Sequence, residues 1–125
     1  MGEFSIIFTA RDFNKSIEFY RDRLKLPVVQ SWDNGSSEKG IVFQAADGLI
    51  EILSLKPGTE YVAPAHFELS IGITDVDIFY QFVKRQGLSI YGEIGDKPWG
   101  ARTFSLLDPD GVKLIFSEPI QGKAS

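Results

Sequence analysis

The 125-residue sequence contains no cysteine, a single histidine, and no apolar stretch of about 18 residues that could cross a bilayer. The absence of cysteine excludes a disulfide framework, a thiolate metal site and a cysteine nucleophile. With one histidine, no serine has an evident base to activate it. The N-terminus lacks a basic stretch followed by an apolar run, so we expect a cytoplasmic protein.

Positive charge is also scarce: 13 basic residues face 17 acidic ones, for a net charge of −4. Binding of nucleic acid requires a concentrated positive face, and the sequence has no basic cluster. We therefore expect neither a nucleic-acid nor a membrane partner, and a neutral or cationic ligand is favoured. The hydrophobic content of 43% is enough for one packed domain.

The sequence contains an internal repeat. Asp12 recurs as Asp75, and Asp47-Gly48 recurs as Asp110-Gly111, in both cases 63 residues later. A solenoid would need at least about three units to bury its faces, so two copies indicate a duplicated half-domain. Two like halves usually build one site between them.

Hydrophobic periodicity gives the same element order in both halves. The first half is predicted to contain a helix that begins at Asp12 and ends at Pro27, with strands at Ser5–Ala10, Val28–Trp32, Gly40–Gln44 and Leu49–Leu55. The second is predicted to contain a helix capped by Thr74 or Asp75 and ended by Gly87, with strands at Phe67–Ile73, near Ser89–Tyr91, and at Arg102–Leu107 and Val112–Glu118. This is an α+β fold of tandem βαβββ repeats.

The predicted chain is a single domain. It comprises repeat one at 4–56, a connector at 57–65, repeat two at 66–118 and a tail at 119–125. Each helix has one apolar stripe, so each covers one face of its own sheet and leaves the other face open. We call the side of each sheet that its helix does not cover the open face. Alternation places Ser5, Ile7 and Thr9 there in the first half, and Glu68, Ser70 and Gly72 in the second.

Four segments together resemble the vicinal oxygen chelate superfamily, which holds glyoxalase I, bleomycin-resistance proteins, fosfomycin-resistance enzymes and extradiol dioxygenases. They are Ala10–Tyr20, Thr74–Asp77, Trp99-Gly100 and Asp108–Gly111. The likeness spans almost the whole chain and is nearest to the bleomycin-resistance type. It implies a curved mixed β-sheet cleft with the helices on its outer face. It also implies a homodimer whose clefts are shared between subunits.

The resemblance further implies a divalent metal held by four side chains, usually His, Gln or Glu. Carried over by position, these ligands become Ser5, Glu51, Glu68 and Ile115. Serine is not a usual ligand there, and an aliphatic side chain cannot coordinate. At the 63-residue offset Ile115 corresponds to Ile52, so Glu51 faces the cleft only if the halves differ by one residue. The sequence therefore predicts that the inherited metal site is lost and that no cofactor is bound.

Other uses of these side chains remain open. Glu51, Glu68 and His66 could form a two-carboxylate, one-imidazole set of the kind that binds iron or manganese. Alternatively, His66 is a surface residue at a strand entrance, and Glu68 faces solvent or a dimer interface. A catalytic carboxylate pair is a third interpretation.

Aromatic residues are predicted to line the cleft, and a flat aromatic wall favours planar ligands. Trp32 and Trp99 are the leading candidates, with Tyr61, Tyr91, Phe43 and Phe104 on or beside the same strands. Asp33, Glu51 and Glu68 would attract a cation, while Arg102 could pair with a cleft carboxylate or an anionic ligand group. The predicted ligand-binding set is Ser5, Ile7, Trp32, Glu51, Glu68, Trp99, Arg102 and Ile115.

These observations leave three hypotheses. The favoured one is a metal-free binding protein that sequesters an aromatic or cationic antibiotic or metabolite. The second is a divalent-metal-dependent lyase or dioxygenase of the same superfamily. The third is a degenerate copy kept only for interaction.

Overall fold

The computed structural model describes residues 4–35 and 38–120. The helical segments in these residues are α1 (Phe13–Ile17), which continues as a π-helical turn (Glu18–Arg23), and α2 (Val76–Arg85). The strands are β1 (Phe4–Ala10), β2 (Val28–Asp33), β3 (Lys39–Ala45), β4 (Gly48–Ser54), β5 (Glu68–Gly72), β6 (Gly92–Lys97), β7 (Ala101–Leu107) and β8 (Lys113–Pro119). Neither helix in this part of the chain has the length and apolar character needed to cross a membrane.

The strands form two four-stranded mixed sheets of the same topology. Their orders are β1-β4-β3-β2 and β5-β8-β7-β6. β1 pairs with β4 and β5 pairs with β8 in parallel, and the other neighbouring strands are antiparallel. The predicted α+β class and the tandem βαβββ order are confirmed.

The chain divides into two compact units. The first takes the residues up to Ala65 together with Pro109–Gly111, and the second takes His66–Asp108 and the chain from Val112 onward. The turn at 109–111 thus belongs to the first unit, although both strands that flank it belong to the second.

The helix of the first unit begins where the sequence predicted. The Asp12 carboxylate accepts a hydrogen bond from the Lys15 backbone N–H at 3.2 Å, as an N-cap residue does. The helix then widens, and the Leu24 N–H donates to the Phe19 carbonyl, five residues back, at 2.9 Å. In this wider turn the adjacent Phe19 and Tyr20 are both buried, with their rings edge to face at 4.9 Å.

The cores lie between each helix and its own sheet. In the first unit Tyr20 stacks on Phe43 with ring centroids 5.6 Å apart. In the second, Tyr80 of α2 meets Phe104 edge to face at 5.2 Å. Phe43 and Phe104 are fully buried. Both are therefore core residues and do not line the open face, unlike the sequence-based expectation that placed them beside the cleft.

The N-terminus of α2 is capped differently from the prediction. Asp75 adopts a left-handed backbone conformation with φ of 64°, and its side chain makes no cap hydrogen bond. Instead, the Glu118 carboxylate at the end of β8 accepts the backbone N–H groups of Asp75 at 3.0 Å and Val76 at 3.1 Å. The prediction of a cap by Thr74 or Asp75 is wrong because a residue 42 positions away from Val76 supplies the acceptor.

Strand β6 lies further along the chain than predicted. The sequence placed it near Ser89–Tyr91, whereas it spans Gly92–Lys97. Its register against β7 shifts between Gly92 and Gly95, so the strand has no regular alternation of apolar residues. Periodicity could not locate it for this reason.

Replacing Glu118 by alanine should remove both acceptors at the N-terminus of α2. We expect a loss of about 1–2 kcal/mol in the free energy of unfolding, the usual cost of deleting a helix cap. Urea denaturation measures this loss. The matched control is Glu60→Ala, which removes an exposed glutamate of the connector that makes no hydrogen bond with any described residue. Equal stability of the two variants would contradict the capping role.

Candidate functional site

The register of the first sheet determines which side chains share its open face. Ile7 on β1 lies opposite Glu51 on β4, and Glu51 lies opposite Val42 on β3. Residues directly opposite each other point to the same side of a sheet, so Glu51 shares a face with Ile7. The intervening Ile50 and Ile52 are buried on the helix side.

The second sheet resolves the doubt about register. Ile115 on β8 lies opposite Ser70 on β5, which puts it on the open face. Four residues separate the paired Gln44 and Leu49 in the first hairpin (45–48), and five separate the paired Leu107 and Lys113 in the second (108–112). The halves therefore differ by one residue at this turn.

Because of that extra residue, Glu51 and Ile115 are equivalent positions although they lie 64 residues apart. The halves thus differ by the one residue that the sequence-based prediction required, and Glu51 faces the open side.

A tryptophan platform is the main feature of the first open face. Trp32, Gly40, Leu53 and Thr9 form one cross-strand row over β2, β3, β4 and β1. A Cβ placed on Gly40 would overlap the indole ring of Trp32, so the ring lies flat against the strand at this point. Only glycine lets the indole approach the backbone this closely.

A cavity of about 320 Å³ opens beside this platform. Its volume falls at the lower end of the range of small-molecule sites. The indole supplies an aromatic wall and Leu53 an aliphatic one, while threonine hydroxyls and charged side chains complete the lining at Thr9, Thr59, Glu38, Lys39 and Lys56.

Glu51 carries an uncompensated negative charge on the same face. Its side chain is half-buried and makes no hydrogen bond or ion pair with the residues that the structure describes. It lies two residues before Leu53 on β4, so the two positions are about 7 Å apart. Its cross-strand neighbour Ile7 is 54% exposed. Ser5 is also exposed on this face.

The open face of the second unit carries serine hydroxyls and an ion pair. Ile115 lies between Ser70 on β5 and Ser105 on β7. Glu68 is paired, because its carboxylate lies 3.3 Å from the Lys113 ammonium group.

The predicted residue Trp99 belongs to the second unit and lies outside its strands. It sits in the tight turn between β6 and β7, where the Gly100 N–H donates to the Lys97 carbonyl at 3.0 Å. The indole is 72% exposed. A role for Trp99 in ligand binding stays a prediction.

Arg102 lies on the helix side of its sheet. Its guanidinium donates to both carboxylate oxygens of Asp77 on α2, at 2.9 and 3.0 Å, and to Asp96 at 3.0 Å. These hydrogen bonds raise the pKa of Arg102 and lower the pKa of Asp77. The predicted pairing with a carboxylate is observed, but the partners are not open-face residues, and we leave Arg102 out of the candidate site.

His66 does not belong to a strand. It has a left-handed backbone with φ of 64°, is exposed, and precedes β5, which begins at Glu68. The alternation that would put both side chains on one side does not extend to His66. Within residues 4–35 and 38–120 no three His, Asp or Glu side chains form a set able to hold a metal ion.

The positions that the fold family uses for a metal do not fit one here. Ser5, Glu51, Glu68 and Ile115 include an aliphatic side chain and a carboxylate already paired with Lys113. Divalent metals require several oxygen, nitrogen or sulfur donors around one point. This chemistry of the donor set argues against a metal at the inherited position.

Sequence reasoning missed the cavity residues Lys39, Lys56 and Thr59 and the role of Gly40. A glycine within an apolar strand pattern is a known signal of close approach by another group. That signal was present in Gly40-Ile41-Val42-Phe43. Nothing in the sequence indicated which aromatic ring would occupy the space.

Gly40→Ala should push the Trp32 ring off the sheet. We expect a destabilisation of about 1–3 kcal/mol from the steric overlap, and a red shift of tryptophan emission as the indole enters water. Gly72→Ala is the matched control, since Gly72 is also a strand glycine and a Cβ there would meet no atom within 4 Å. An unchanged emission spectrum in Gly40→Ala would contradict the contact.

Arg102→Gln should return the pKa of Asp77 toward its ordinary value of 3.8, since the guanidinium lowers it. A lowered carboxyl pKa stabilises the fold above the unfolded-state pKa, and this stabilisation is lost as pH falls through the folded-state value. NMR titration of the Asp77 carboxyl carbon measures the change. Arg85→Gln removes a neighbouring helix charge as the control. An Asp77 midpoint that is the same in the Arg102 variant and the wild type would refute the assignment.

Comparisons with known proteins agree with this geometry. Residues 5–116 match the model of the Glyoxalase/Bleomycin resistance protein/Dioxygenase superfamily. The chain is 34% identical over 110 residues to the uncharacterised protein YraH of Bacillus subtilis (strain 168), covering 79% of this chain and 84% of that protein.

Solved structures show the same fold. TioX from Micromonospora sp. ML1 superposes with a TM-score of 0.75 at 16% identity, covering 96% of this chain and 100% of that one. A glyoxalase/bleomycin resistance protein/dioxygenase from Alicyclobacillus acidocaldarius also gives 0.75, at 18% identity, covering 98% and 95%. With its two βαβββ units and a family match over nearly its whole length, this chain belongs to the glyoxalase/bleomycin resistance protein/dioxygenase superfamily.

Proposed function

We propose that this protein binds a planar aromatic small molecule against Trp32 on the open face of the first unit and sequesters it without a metal ion. The observation that carries the proposal is the indole ring lying flat on Gly40 as one wall of a cavity of about 320 Å³. A ring held by the strand beneath it is a preorganised stacking surface, so little side-chain freedom is lost when a ligand binds.

The negative charge of Glu51 favours a ligand that carries a cationic group. Its unpaired carboxylate lies one row from the tryptophan platform, which a ligand of two or three fused rings can span. Glu38, the half-buried Lys39 and the exposed Lys56 line the cavity itself, and Glu51 lies beyond its lining. The Glu38 carboxylate offsets the charge of Lys39, and solvent screens Lys56 more than the half-buried Glu51, so the positive end of the ligand should point toward Glu51.

We favour sequestration over turnover because the open face of the first unit has few groups that could act as acid, base or nucleophile. Among the described residues of the first unit, Glu51 is the only ionisable group in the cross-strand rows of Ile7 and Thr9. These two rows hold the Thr9 hydroxyl but no histidine or lysine that could activate it. We extend the proposal to a homodimer, the arrangement typical of the family, and to an antibiotic or a metabolite as the ligand.

The two tryptophans allow a clean test by fluorescence. In Trp99→Phe the only indole is Trp32, and titration with 9-aminoacridine, a planar aromatic cation at neutral pH, should quench it saturably. In Trp32→Phe only Trp99 reports, and binding measured by calorimetry should weaken on the order of tenfold, because the larger indole stacking surface is lost. Glu51→Gln should weaken the same probe several-fold.

Two outcomes would overturn the proposal. One is unchanged affinity in Trp32→Phe. The other is a stoichiometric divalent metal, measured by elemental analysis of protein purified without chelators. That result would favour the metal-dependent lyase or dioxygenase that the resemblance also implies.

A further inference from the structure

We propose that the first unit carries a second binding site, a pocket for an anionic group such as a carboxylate or a phosphate. The pocket has a volume of about 560 Å³ and lies where β1 and β4 end and the chain enters α1. This volume is within the range of small-molecule sites. The proposal does not rest on the proposed function, because it concerns a ligand group of the opposite charge and the basic side chains of Arg11 and Lys15, although Lys39, Ser54 and Leu55 line both cavities.

Three basic side chains line the pocket without a carboxylate partner. Arg11, Lys15 and Lys39 all contribute to its wall, and none forms an ion pair with a described residue. The Arg11 guanidinium lies over the Tyr61 ring, 4.7 Å from its centroid. That contact holds the guanidinium through its face and leaves the N–H groups at its edge for a ligand.

The two acidic side chains in the wall are directed at the protein itself. Asp12 accepts the Lys15 backbone N–H at 3.2 Å. Asp110 accepts the Arg11 backbone N–H at 2.9 Å, the Tyr61 hydroxyl at 2.6 Å and the Ser16 hydroxyl at 3.4 Å. These carboxylates thus accept hydrogen bonds that cap a helix and fix a turn. Neither of them forms an ion pair with Arg11, Lys15 or Lys39.

The local charge balance favours an anion. Three positive groups against two negative ones leave an excess of one positive charge in the pocket, on a chain whose net charge is −4. Asn14 adds a side-chain amide that makes no hydrogen bond with a described residue and can donate to an oxygen. Lysine, arginine and amide donors converging on one cavity suit a carboxylate or phosphate oxygen.

Calorimetric titration with inorganic phosphate and, separately, with citrate at constant ionic strength tests the site and separates the two sources of the anion. At least one probe should bind saturably to the wild type and more weakly as sodium chloride is raised. Lys15→Gln and Lys39→Gln should each weaken that probe on the order of tenfold, the effect of losing one charge-assisted hydrogen bond. Lys97→Gln, which removes a lysine of the second unit that forms no ion pair with a described residue, should leave the affinity unchanged.

The proposal falls if neither probe binds saturably. It also falls if the Lys15 and Lys39 variants retain wild-type affinity, or if Lys97→Gln loses as much as they do. Thermal unfolding of each variant checks that it is folded. Because Lys39 lines both cavities, Lys15→Gln separates them: it should weaken the anion and leave the quenching of Trp32 by 9-aminoacridine unchanged, so failure of one site is distinguishable from failure of the other.

Discussion

The structure depends on one constraint, which is that each helix has a single apolar face and can cover only one side of its own sheet. In both units this side takes the aromatic core, with Tyr20 on Phe43 and Tyr80 on Phe104. Strand alternation then directs every second side chain to the other side. The open face therefore requires no separate design, since it is what remains when the core is built.

What each open face can do depends on the register of strand pairing. The parallel pairing of β1 with β4 puts Glu51 beside Ile7, and the antiparallel pairing of β2 with β3 puts Trp32 on Gly40. In the second unit the corresponding register places Ile115 between Ser70 and Ser105. One duplicated scaffold thus carries a flat aromatic platform with a free carboxylate in one unit, and serine hydroxyls with a paired carboxylate in the other.

Sequence patterns were reliable wherever the physical cause was local. The Asp12 cap and the burial of Val76, Tyr80 and Val83 along one stripe of α2 both depend on the spacing of residues within a few positions of each other. The predictions failed where the cause was distant. Glu118 caps α2 from another element, and glycines with a register shift obscure strand β6.

The sequence by itself determined the fold class and the duplication, because periodicity and an internal repeat are properties of the chain alone, and the family resemblance added the expectation that Ser5 and Ile115 stand where metal ligands would be. Only the tertiary structure decided that Glu51 faces the open side, that Arg102 faces the helix, and that Trp32 rests on Gly40. Each of these depends on which residue a strand places opposite another. A single extra residue in a hairpin turn reverses that choice without changing the local pattern.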